Sequence, residues 1–473
     1  MKEYAVVGSG IGGSSIAAYL NAKGHDVALF EKESYLGGCS SSFYHKGYFY
    51  NTGATTFAGY QEGFIVKEFF DAIGFEPRLI KSDPAIVVIQ NSKVTPRYSD
   101  FEKFLSALEH NYPHPKNREF WTLIKEINEQ FYATSGHYYS NKNILSKLVS
   151  LMSYIPLAAK FFVHLKKNAQ SFIEEFLEDI DEEYLEFLES QVLIVAQASL
   201  KEINFFTAAL SLGYTFYDNY YVVGGFSALF NDLTQDLKDL HRNAHITSIR
   251  KYPTHFELHT KDEVFEAKKL ILNSTIYDSA KLFDNPEVKS YYKKYEKLNN
   301  YQSSFMLYFT LKSEKNFHHH YQIIEKTVFP HTLSRAVFVS FSDKEDNEIA
   351  PEGHYSVTVS IHTDIRYWQD PSTYKAQKEE LKDLLLNKIM DILSLRKEEI
   401  VHSFAATPKS FERFIKRSQL GGNAITMENI LPKLPGNDTP IEGLYHVGDS
   451  VYAAQGWPGV MLGVKNLKKL LHV

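Results

Sequence analysis

A short apolar run at residues 4–7 gives way at once to Gly8-Ser9-Gly10-Ile11-Gly12-Gly13, so a G-x-G-x-x-G falls where a strand should turn into a helix. Each glycine there has a separate task. Gly8 permits the tight turn, Gly10 lets backbone approach a pyrophosphate, and Gly13 lets the helix pack on the strand. The helix is expected to run from Ile11 through Ile16, Ala17 and Leu20 to Lys23, with Gly24 as its stop. Its free N–H groups and positive end then face phosphates. A second strand at 27–30 ends in Glu31, whose carboxylate is placed to accept from both ribose hydroxyls and to repel an additional phosphate. A glycine-rich turn alone would be weak support. Strand, helix and acid in the right order read as a βαβ dinucleotide unit.

Gly37-Gly38 follows shortly, and Glu31-x5-Gly37-Gly38 resembles the extended nucleotide motif of the large FAD-dependent oxidoreductases of the glutathione-reductase-like fold. That resemblance implies FAD rather than NAD. It also implies an α/β chain, with an FAD-binding Rossmann domain and an interleaved α+β substrate domain. Expected cofactor contacts are Gly8, Gly10, Ile11, Gly13, Glu31, Lys32, Gly37, Gly38, Cys39 and Ser40, with Ile246 where the chain returns to the nucleotide domain. No second G-x-G-x-x-G follows a strand after residue 40, so tight direct binding of NAD(P)H is not expected.

At 473 residues, 44% of them hydrophobic, the chain has enough apolar content for two cores. The net charge of -6 gives no reason to expect nucleic acid as a partner. Cys39 is the single cysteine, which rules out an internal disulfide or a redox-active pair and fits a reducing cytoplasmic setting. Strand 1 begins directly after Met1-Lys2-Glu3, leaving no room for a signal peptide. No repeat or low-complexity linker interrupts the chain, so interwoven domains are expected: 1–100, 213–300 and 400–473 for FAD, and 101–212 and 301–399 for substrate. Residues 101–212 read as mostly helical, with 172–188 as an amphipathic stretch. Strands are expected at 245–250, 255–259, 269–272, 301–312, 354–362 and 443–447, and helices at 377–395 and 459–471.

Residues 148–165 are largely apolar and end in Lys166-Lys167, but Pro156, Lys160 and the serines make a poor spanning helix. An interfacial helix with a cationic edge, peripheral on a membrane, is one reading. A lid or core helix of the substrate domain is the other.

Near the C-terminus, Gly443-Leu444-Tyr445-His446-Val447-Gly448-Asp449-Ser450 followed by Gln455-Gly456-Trp457-Pro458-Gly459-Val460 resembles the closing flavin motif of the carotenoid isomerase, phytoene desaturase and retinol saturase group. Residues 37–43, 47–53, 349–354 and 407–414 are similar to further segments of that group, so the resemblance runs nearly full length. Asn51 stands where the group usually has an aspartate, a departure that costs a charge. By this resemblance Gly448 and Asp449 meet the ribityl and pyrophosphate region, and the backbone at Gly459 and Val460 faces the flavin ring. A helix N-terminus there stabilises negative charge on the ring as it is reduced.

The same resemblance implies an oxidoreductase or redox-neutral isomerase acting at the flavin N5 on an apolar polyene or isoprenoid, carotenoid-like or retinoid-like. No Ser-His-Asp set or paired carboxylates at a telling spacing stand out; Gln455 and Trp457 are the side chains placed to face ring and substrate. An amine-oxidase-like flavoenzyme on a soluble substrate and a non-catalytic flavoprotein are the alternatives. His318-His319-His320 reads as a solvated loop rather than a metal site, because consecutive histidines cannot share one face of a helix or strand.

Overall fold

The computed structural model describes residues 1–134, 138–417, 419–429, 433–453 and 455–473. The strands Lys2–Val7 and Val27–Phe30 lie side by side and parallel, with Val7 opposite Phe30, so the Gly8 turn and Glu31 emerge at the same edge. All four residues of Val27–Phe30 are buried, as a strand covered on both faces requires. Asp239–His241 extends this sheet on one side, and Val264–Leu272 continues it on the other. Val264–Leu272 then pairs antiparallel with Phe256–His259 and parallel with Leu444–His446, and Ser248–Lys251 closes the edge. Helices Ile11–Ala22 and Gly456–Leu471 cover one face together, burying Ile16, Leu20, Leu462 and Leu467 in one core.

A second seven-stranded sheet carries the other half of the molecule, in the order Ile400–Ala406, Gln302–Lys312, His354–Asp364, Ala336–Phe341, His320–Ile324, Ile86–Gln90 and Lys93–Arg97. One face packs through Phe305, Phe309, Val357 and Val359 onto Leu381, Leu385 and Ile389 of helix Pro371–Leu393. The opposite face looks into the molecule, where helices from 101–212 roof it over. Tyr321 pairs with Val87, and Tyr308 with Phe404. The domain limits expected at 100 and 400 are therefore corrected: 86–97 and 400–406 belong to the substrate sheet, where Ile86–Gln90 pairs with His320–Ile324, Lys93–Arg97 with Ile86–Gln90, and Ile400–Ala406 with Gln302–Lys312.

Two further expectations change. The stretch 172–188 is two helices, Ala169–Phe176 and Glu182–Ala196, separated where the Asp181 side chain accepts from the Tyr184 N–H at 2.7 Å and caps the second. Of the three histidines expected in a solvated loop, only His318 is exposed. His320 opens a strand opposite Ser340, and both it and His319 are held inside; His319 contacts the carbonyls of Phe341 and Thr55. The two rings lie against each other, centroids 3.8 Å apart, with His320 Nε2 meeting the hydroxyls of Thr55 and Thr56.

The apolar stretch at 148–165 is bent. Helices Ile144–Ser153 and Ile155–Lys166 meet at 75°, and no single helix among the described residues is long and apolar enough to cross a membrane. Leu145, Met152, Phe162 and Val163 are exposed along the pair, whereas Phe161 is buried against Phe206.

Candidate active site

A cavity of about 970 Å³ opens where the two sheets face each other. Every residue expected at the cofactor lines it except Gly13. That glycine is set back beneath the loop: a Cβ there would lie 1.9 Å from the Gly8 carbonyl oxygen, which is the close helix-on-strand packing its position demands. Gly8 itself adopts φ +97°, open to glycine at no steric cost. Along one wall Gly10, Gly12, Gly37, Gly38, Gly53 and Gly448 leave a strip of bare backbone.

Glu31 is buried and organises the loop. One carboxylate oxygen accepts from the Ser9 N–H at 3.0 Å and the Ser9 hydroxyl at 2.5 Å, and the other accepts from the Glu33 N–H at 3.0 Å. Lys32 is tied away to Glu33 and the Phe414 carbonyl at the outer rim. Cys39 sits in the turn Gly38–Ser40 with its sulfur 3.9 Å from Arg417, and burial pushes its thiol up, so it is no reactive thiolate. Asn51 does not line the cavity; its side-chain Oδ1 accepts from the Ser42 hydroxyl and the Phe226 N–H as a joint between segments.

The C-terminal motif needs two corrections. Its helix starts at Gly456, three residues earlier than expected, with Gly459 and Val460 lining the cavity from the end of its first turn. The N–H groups left free in the first turn belong to Gly456 and Trp457, since Pro458 has none. Trp457 also points largely into the core, with its ring 4.5 Å from Phe57 and stacked on Phe226 and Phe230. Gln455 donates its side-chain amide to the carbonyls of Ile194 and Val195, fastening the last helix to the end of Glu182–Ala196.

Sequence reasoning missed two side chains. Asn273 follows strand Val264–Leu272; its amide accepts from the Gly10 N–H at 3.0 Å and donates to the Val447 carbonyl at 3.2 Å, joining the first and last motifs. Its signal was available, because a residue just past a parallel strand beside the first one meets the glycine loop. Arg417 pairs with Asp449 at 2.8 Å; burial opposes its charge, but the Asp449 carboxylate holds the guanidinium above its usual range. No periodicity marks Arg417 in the sequence.

Beyond the glycine strip the cavity widens into a chamber. Its walls come from Phe131 and Tyr132, Ile194 and Val195, Leu210, Tyr214 and Tyr217, with Met306 and Phe338 on the sheet. No carboxylate or cationic side chain comes from the sheet strands Gln302–Lys312, Ala336–Phe341 and His354–Asp364, or from helices Asn117–Ala133, Glu182–Ala196 and Phe205–Leu212.

A bare-backbone groove, a buried acid at the second strand and two helix N-termini fit an elongated dinucleotide, and the adjoining chamber places a second reactant beside it. This arrangement defines a dinucleotide-dependent flavoenzyme. The flavin-containing amine oxidoreductase family matches residues 11–464, and the chain belongs to that family. FAD is its cofactor, and the protein is an FAD-dependent enzyme.

Prolycopene isomerase of Daucus carota is 26% identical to it over 95% of this chain and 77% of the relative. The 4,4'-diaponeurosporene oxygenase of Staphylococcus haemolyticus is 23% identical over 98% and 95%. Among solved structures, putrescine oxidase bound to putrescine superimposes with a TM-score of 0.66 at 14% identity, covering 100% of this chain and 98% of that one.

Proposed function

We propose that this enzyme acts on a long apolar polyene, carotenoid-like or retinoid-like, by desaturation, saturation or redox-neutral isomerisation. The observation that carries the reading is the chamber wall, which is mainly aromatic and aliphatic and holds no charged side chain on the elements that form it. A protonated amine, the substrate of an amine-oxidase-like enzyme, would find no counter-charge there and would pay the desolvation of its charge unrelieved. The relatives matched over nearly the whole chain act, by their names, on carotenoid substrates.

Bound FAD supplies hydride acceptance or donation at its ring. The chain's own residues supply position and environment. Glu31 is placed at the ribose end of the groove, with Ser9 and Glu33 orienting its carboxylate. Asp449, steadied by Arg417, and the backbone of Gly448 belong to the middle of the cofactor. The first turn of Gly456–Leu471 presents a positive helix end, which favours negative charge developing beside it. Phe131, Tyr132, Leu210 and Tyr217 exclude water and hold an extended apolar chain in line.

The exposed pair Ile144–Ser153 and Ile155–Lys166 is part of the same reading: a peripheral membrane contact through which such a substrate leaves the bilayer. The pair stands just behind the cavity wall. Phe161 packs on Phe206 of helix Phe205–Leu212, Lys160 pairs with Glu126 at 2.7 Å, and the Tyr154 hydroxyl bonds that of Tyr452. The function is tested by incubating the holoprotein with a panel of cis and trans polyenes under reducing and oxidising conditions and separating products by chromatography. Conversion of polyenes is expected; turnover of amines with none of polyenes would replace this reading by the amine-oxidase one.

A further inference from the structure

The face of the second sheet that floors the chamber is not uniformly apolar. Ser304 and His362 stand directly opposite each other on neighbouring antiparallel strands, and Ser360, two residues from His362, pairs with Met306 on one side and Phe338 on the other. Period-two alternation therefore brings Ser304, Ser360 and His362 together on one face. All three line the cavity and are partly open to it, within strands whose other residues are mostly buried.

None of the three has its polar valence filled by protein. The hydroxyls of Ser304 and Ser360 make no hydrogen bond among the described residues. His362 accepts at Nε2 from the Gln197 amide at 3.0 Å, which assigns the ring proton to Nδ1, and Nδ1 has no partner among the described residues. Burial pushes His362 down to about 4, so the ring is neutral near physiological pH and offers an N–H donor without charge. Around the cluster, Met306, Phe338, Ile194 and Leu210 are apolar. A plain hydrocarbon lying here would strip water from three polar groups and return nothing to them. A carboxylate would bring a charge to a floor whose strands and roofing helices contribute no cationic side chain to the cavity.

We propose that the chamber takes a polyene bearing a neutral oxygen function, a hydroxyl or a carbonyl, seated on Ser304, Ser360 and His362. The assignment rests on the apolar-chain reading above and narrows it to oxygenated members of that class. His362 Nδ1–H donates to the oxygen, and the serine hydroxyls rotate to donate or accept as the ligand requires.

The test is a titration of FAD-loaded protein in detergent micelles with three C20 polyenes: all-trans-retinol, the same polyene with a methyl group in place of its hydroxymethyl, and the corresponding carboxylate. Perturbation of the flavin absorption reports binding. The alcohol is expected to bind about tenfold or more tighter than the hydrocarbon. In His362→Phe, and separately in Ser304→Ala/Ser360→Ala, that ratio should fall to about one, with hydrocarbon affinity and flavin content retained; the serine variant keeps the test open should the histidine variant fold poorly. Equal binding of hydrocarbon and alcohol by the parent protein, tighter binding of the carboxylate, or a ratio that survives both variants would each overturn the proposal while leaving the apolar-chain reading intact. If none of the three polyenes perturbs the flavin, both readings fall.

Discussion

The Arg417 guanidinium reaches Asp449 at 2.8 Å on the cavity wall, with side-chain exposures of only 16% and 23%. The pair links the irregular segment after helix Pro408–Ile415 to the turn that ends the last strand, and both sides of that link line the groove. Asp449→Asn preserves shape but leaves a buried guanidinium without its counter-charge, and should cost about 3 kcal/mol with loss of bound flavin. Adding Arg417→Met should recover much of that stability without restoring flavin content. Denaturant unfolding and flavin absorption across this double-mutant cycle measure both effects.

Gly13 and Glu31 separate packing from binding. Gly13→Ala drives a methyl group into the Gly8 carbonyl, backbone against backbone, and should destabilise the protein by about 1–3 kcal/mol whether or not FAD is present. Glu31→Ala leaves the donors of Ser9 and Glu33 unpaired, weakening flavin retention by about 1–3 kcal/mol. Dilution-driven release of flavin, followed by fluorescence, distinguishes them. Full retention in Glu31→Ala at high dilution would remove Glu31 from the cofactor contacts.

Two buried histidines set an acid limit. Burial pushes His362 down to about 4 and His446 down to about 3, the latter with its Nε2 bonded to the Tyr292 hydroxyl at 2.6 Å. Their folded values lie below the ordinary 6.5, so the unfolded chain binds more protons in between. Their contribution is complete above pH 6.5 and is lost as pH falls toward 4 and 3, at about 1.4 kcal/mol per pH unit for each ring. Unfolding free energies at pH 7.5 and 5.5 should differ less in His446→Gln than in the parent protein. An unchanged difference would contradict the assignment.

For membrane contact, Met152→Asp/Phe162→Asp changes exposed residues only, and should abolish liposome flotation while leaving FAD bound. Phe161→Asp is a different experiment, since that ring is buried on Phe206; it should destabilise the helical roof and cannot report on the surface. Flotation that persists in the double variant would leave the pair with a structural role alone.

What could be read from sequence was what local spacing encodes. Gly8 to Gly13 and Glu31 are close in the chain, and the βαβ geometry leaves them little choice of partner. Asp449 was found through a contiguous motif. Arg417 was not, because its position depends on a chain path with no period. Trp457 was placed at the ring by its place in the motif, but Phe57, Phe226 and Phe230, from separate segments, draw it into the core. His320 was misread for the same reason: the strand it opens is defined by Ser340 and Val87 across the sheet, not by its neighbours in sequence.

The bend between Ile144–Ser153 and Ile155–Lys166 has a geometrical consequence. A single rod resting on a flat surface can roll about its own axis, but two rods joined at 75° define a plane. A surface that seats both arms therefore removes the rolling freedom, and the rigid body behind them meets it with one heading and one tilt.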